Sequence, residues 1–129
     1  MQWKKLKVWQ DTHALVLEIY KITAKFPKSE IYGLVNQLKR AAYSIPANIV
    51  EGQSRNTTKE YVHFLYNARG SMEEVRYFLY LSRDLGFLPT DSYELLEQRY
   101  EKASKMLNGL IKSLREKTIN PKSISHNPL

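Results

Sequence analysis

Apolar residues in this chain recur at intervals of three and four over most of its length, and no segment alternates with a period of two. That spacing gathers the apolar side chains of each segment on one face of an α-helix and leaves no strand pattern, so the fold is expected to be all-α. Val8, Leu15, Ile19, Ile22 and Phe26 mark a first helix, with Thr12 as its one polar interruption. Proline excludes the residue before it from the helical region, so Phe26-Pro27-Lys28-Ser29 reads as a break, with Ser29 placed to cap the next helix. The second helix is expected to begin near Glu30 and to carry Leu34, Leu38, Ala41, Ile45 and Ile49. It is expected to end at Gly52, since glycine best tolerates the left-handed turn beyond a helix.

After the polar stretch Gln53-Ser54-Arg55-Asn56, Thr57-Thr58-Lys59-Glu60 has the form of a capping box and opens a third helix. Its stripe is Tyr61, Leu65, Ala68, Met72, Val75, Leu79 and Ser82, and it stops at Gly86 with Pro89 beyond. Gly70, inside it, is expected to permit close helix contact. The fourth helix starts at Thr90 or Asp91, keeps Leu96, Tyr100, Ala103, Leu107, Leu110 and Leu114 on one face, and ends near Lys117. Short connections force neighbouring helices to run antiparallel. Pro46 removes a backbone donor from the second helix and predicts a kink there, beside the small residues Ala41, Ala42, Ser44 and Ala47. The expected architecture is an antiparallel up-down four-helix bundle with a proline-kinked second helix over residues 1–118, followed by a disordered tail over 119–129 that lacks periodicity.

With 129 residues the chain suits a single domain with a real core. It has no cysteine, which excludes disulfides, thiolate metal sites and a cysteine nucleophile and fits a reducing, cytoplasmic compartment. No apolar run has signal-peptide or membrane-spanning length, so no membrane partner is expected. Twenty Lys and Arg against thirteen Asp and Glu give a net charge of +7, which attracts polyanions if it is clustered and serves only solubility if it is spread over solvated helix faces.

Arg40, Ser44, Asn48 and Glu51 form a polar stripe along the second helix beside its apolar one. They are expected either to pair with neighbouring helices, through Ser71 and Glu74 of the third, or to line a subunit interface or groove. The cations expected to meet nucleic acid are Lys39, Arg40, Arg55 and Lys59 around the second connection and Lys105, Lys112, Arg115 and Lys117 towards the end of the fourth helix. For the last group the helix dipole supplies a competing structural reason. Tyr61, Tyr93 and Tyr100 read as core; Tyr66, Tyr77 and Tyr80 lie partly off the stripe and suit a subunit contact. Glu60 and His63 have the spacing of a di-iron half-site, but no second copy exists. Neither a metal site, nor a cofactor loop, nor a nucleophile with its base is found, so no catalytic residue is assigned and no enzymatic activity is expected.

Several segments together resemble one family: Val8-Trp9-Gln10, Phe26-Pro27 with Glu30 and Tyr32-Gly33-Leu34, the run from Gln37 to Gly52 that includes Ser44-Ile45-Pro46-Ala47-Asn48, and Gly70-Ser71 with Glu74. These are the four-helix-bundle proteins of 23S rRNA intervening sequences, also called S23 proteins, and the family is similar to the accessory variability determinant of diversity-generating retroelements. The resemblance implies a homopentameric barrel, and through the retroelement protein it implies RNA or DNA and a nucleic-acid enzyme such as a reverse transcriptase as partners. The function expected from residues and resemblance together is a non-enzymatic, self-assembling basic bundle that binds nucleic acid through its backbone. The alternative is a scaffold that binds only protein.

Overall fold

The computed structural model describes residues 1–119. A 3-10 turn at Gln2–Lys5 precedes helix α1 (Lys7–Thr23), and helices α2 (Asn36–Gln53), α3 (Thr58–Asp84) and α4 (Thr90–Ile119) complete the bundle. No strand occurs among the described residues. α1 packs on α2 and α4, and α3 packs on α2 and α4. Ser44 of α2 meets Ser71 of α3, whereas Gly52, later in α2, approaches Tyr61 and Phe64, earlier in α3. The two helices are therefore antiparallel. Arg76 and Arg69 of α3 meet Glu97 and Asn108 of α4 in the same reversed order. Of the expected tail, 120–129 lies outside the described residues; the helical backbone runs through Ile119.

The core follows the expected stripes with local differences that have clear causes. Thr12 does not interrupt the first stripe, because it is buried and its hydroxyl donates to the Val8 carbonyl at 2.8 Å. Thr23 is buried in the same way against the Ile19 carbonyl at 2.7 Å. Each hydroxyl is satisfied inside its own helix, so a threonine there can face the core. In α4 it is Ile111, not Leu110, that is buried between Leu107 and Leu114.

The break after α1 is longer than the sequence predicts. A 3-10 turn at Lys28–Glu30 and a wide turn at Ile31–Val35 intervene, and Gly33 leaves the helical region (φ −109°, ψ −109°), so α2 starts at Asn36. Glu30, rather than Ser29, supplies the cap: its carboxylate accepts from the Leu34 amide at 3.4 Å.

Gly52 does not end α2 in a left-handed turn. It is buried within the helix, and a Cβ there would lie 2.9 Å from the Phe64 Cβ and 3.0 Å from the Tyr61 ring. Close approach of α2 to α3 is what requires glycine. Gly70, by contrast, is exposed, with no atom within 4 Å of where its Cβ would be, so it permits no helix contact within the subunit.

The start and end of α3 match their sequence signals. Thr57 Oγ1 accepts from the Glu60 amide at 3.1 Å and donates to the Glu60 carboxylate at 2.9 Å. Gly86 takes the left-handed conformation (φ 81°), and the Phe87 amide reaches back to the Ser82 carbonyl at 2.9 Å.

Two tyrosines sit in the core, Tyr61 and Tyr100, and Tyr93 is half-buried with its ring edge against Tyr80. Burial pushes the Tyr61 hydroxyl up to about 12; Gln53 pulls it partly back without a hydrogen bond of standard geometry. Burial raises Tyr100 as well, and its hydroxyl has no hydrogen-bond partner among the described residues. Both phenols are held neutral in the folded chain, whereas an unfolded tyrosine ionises near pH 10. This contribution to stability is complete below about pH 10 and is lost as pH rises through 12. We expect the unfolding temperature to fall over that interval. Tyr100→Phe, which removes an unsatisfied hydroxyl, should be at least as stable as the parent at pH 7 and lose less on alkaline titration, as thermal melts followed by circular dichroism would show.

Candidate nucleic-acid interface

The polar residues of α2 form a seam with α3. The Ser44 and Ser71 hydroxyls are 2.9 Å apart, and the Asn48 amide nitrogen donates to the Ser44 carbonyl at 2.7 Å and to its hydroxyl at 3.0 Å. Arg40 and Glu74 join Ser44 and Ser71 in lining a cleft of about 440 Å³. Glu51 is elsewhere engaged, accepting from Arg55 at 2.9 Å one helical turn on.

The eight cations singled out in the sequence divide into groups. Lys39 lies over the Tyr20 ring (4.6 Å to its centroid) and so ties α2 to α1. Arg55 lies over the Phe64 ring at 4.5 Å in addition to its ion pair with Glu51. Lys105 is exposed on α4. Lys117 is only 7% exposed and continues the inward face of α4 after Ile111 and Leu114, so it is not a surface ligand for phosphate. This corrects its assignment. The 3.6-residue repeat carries the inward stripe of α4 to that position.

Lys59, Lys112 and Arg115 are brought together. The first turn of α3 lies beside the last turns of α4, and Arg115 lines two adjoining clefts there. One, of about 460 Å³, is also lined by Lys59, Val62, His63, Tyr66 and Thr118. The other, of about 290 Å³, is lined by Arg69, Asn108, Ile111, Lys112 and Glu116 as well. Arg69 donates to the Asn108 side-chain carbonyl at 3.2 Å and lies 4.8 Å from the centroid of the Tyr66 ring. None of Lys59, Arg69, Lys112 and Arg115 forms an ion pair among the described residues. Four cations against the single carboxylate of Glu116 in the lining of these two clefts concentrate positive potential where a polyanion can approach. Arg69, His63 and Tyr66 are not among the residues the sequence assigns to nucleic acid; it assigns Tyr66 to a subunit contact.

The other end of the α3–α4 pair is neutralised. Arg76 bridges Glu73 of α3 at 3.2 Å and Glu97 of α4 at 3.0 Å, and hydrogen bonding to Glu97 holds its pKa above the usual arginine value. Arg83 pairs with Asp84 and lies over both Tyr80 and Tyr93. Among the described residues no group of three or more His, Asp or Glu is placed to hold a metal ion, and no helix is long and apolar enough to cross a membrane.

Fold and surface together define a four-helix bundle with a basic face where the start of α3 meets the end of α4. The chain belongs to the family of 23S rRNA-intervening sequence proteins, whose family model matches residues 4–109. A crystal structure of a protein of unknown function from the S23 ribosomal protein family of Bacteroides thetaiotaomicron is similar in fold, with a TM-score of 0.73 and 22% identity over 81% of this chain and 98% of that one. Comparison with curated proteins returns no match.

Proposed function

We propose that this chain is a non-enzymatic binding protein that assembles with copies of itself and holds nucleic acid by its backbone. The observation that carries this reading is the convergence of Lys59, Arg69, Lys112 and Arg115 around two adjoining clefts, without acidic partners among the described residues. Contacts of this kind neutralise phosphates and carry no sequence information.

Self-assembly is supported by what the single subunit leaves uncovered. Leu17, Tyr20, Tyr32 and Tyr43 are exposed on the α1–α2 side, Tyr32 at 95%, and Tyr77 and Tyr80 are exposed on α3. A closed ring needs two different, mutually complementary patches on each subunit, and these lie on different helices. A ring of five would present the basic face five times and hold a polyanion that one subunit holds weakly. Light scattering should give a mass near five subunits that increases when a short RNA is added at low salt. A monomer indifferent to RNA would contradict both halves of the proposal.

A further inference from the structure

We propose that the cleft between the first turns of α3 and the last turns of α4 takes an unstacked base, so that the basic face prefers single-stranded nucleic acid to duplex. This rests on the nucleic-acid reading above and narrows its ligand. The cleft, of about 460 Å³, is within the roughly 300–1,000 Å³ typical of small-ligand sites. Its lining has two chemical characters. Val62, His63 and Tyr66 offer apolar and flat surface, and Lys59 and Arg115 bring positive charge to the same cavity. Single-strand sites combine these two elements, with rings on which bases stack and cations that follow the backbone. A duplex keeps its bases stacked on one another and offers such a cavity only groove edges and phosphates.

Tyr66 is also held in place before any ligand arrives. The Arg69 guanidinium lies 4.8 Å from its ring centroid and is itself anchored on Asn108 at 3.2 Å, so less side-chain freedom is lost on binding. The adjoining cleft shares Arg115 and adds Arg69 and Lys112, which extends a cationic path for the strand beyond the inserted base.

The test is a pair of anisotropy titrations of the full chain at one fixed low salt, with a labelled oligouridine and with a labelled RNA duplex of equal length. The expected result is at least tenfold tighter binding of the single strand. Tyr66→Leu, which keeps apolar bulk but removes the ring, should lower the ratio of single-strand to duplex affinity by roughly 5- to 150-fold, the range for one lost base stack. His63→Ala, at an exposed position, should lower the same ratio by less and without effect on the fold. Equal binding of both forms would overturn this inference and leave the electrostatic reading intact, as would a ratio unmoved by both variants. Binding of neither form would overturn both.

Discussion

Reversing charge at Lys59, Lys112 and Arg115 together is expected to reduce RNA affinity at low salt on the order of 100-fold or more, while leaving a folded bundle. All three side chains are exposed, and none forms an ion pair among the described residues, so the substitutions break no ion pair there. Glutamate at position 59 lies in the first turn of α3, where negative charge is favourable, and at 115 it opposes the dipole of α4 at a cost of about 1 kcal/mol or less. Each lost phosphate contact should reduce the dependence of log affinity on log salt by about 1. The triple variant should therefore bind weakly and become nearly insensitive to salt. Unchanged helical content by circular dichroism together with unchanged affinity would remove the α3–α4 face as the binding surface.

Gly52→Ala is expected to destabilise the bundle by about 1–3 kcal/mol, the usual range for overpacking. The new methyl would stand 2.9 Å from the Phe64 Cβ and 3.2 Å from the Tyr61 backbone carbonyl, neither of which is the flexible end of a side chain. Improved helix propensity, at most about 1 kcal/mol, offsets part of this. Gly70→Ala has the opposite sign: with open space around the site, the same substitution should stabilise α3 by up to about 1 kcal/mol. Thermal melts of the two variants would check both signs. A loss at Gly70 instead would place that position against a neighbouring copy.

These two glycines show where sequence reading loses its hold. A glycine near the end of an apolar stripe looks the same whether it is needed for a left-handed turn, as Gly86 is, or for the approach of a second helix, as Gly52 is; only the partner distinguishes them. Signals confined to one turn, such as the Thr57–Glu60 cap, were legible because both partners are local. The α1–α2 break was legible in place but not in length, since the turn at Ile31–Val35 depends on Gly33 and on the Glu30 carboxylate.

The interface was legible in its cations and not in its geometry. Lys59 and Arg115 are far apart in sequence and meet because α3 folds back on α4 about a turn near Phe87, which sets 59 opposite 115 and 76 opposite 98, one residue from its partner Glu97. Applying that reflection to the sequence would have drawn Tyr66 and Arg69 into the site. It would not have revealed that Lys117 turns inward, because Lys117 differs from its exposed neighbours only in helical phase.

Under the proposed function this bundle binds nucleic acid by backbone electrostatics. The most direct test is the affinity of the full chain for a short single-stranded RNA measured across a range of salt concentrations. Four cations on the face of each subunit predict a linear fall of log affinity with log salt, with a slope of about −3 for each engaged subunit. Affinity that persists unchanged at high salt, or no binding at low salt, would contradict it.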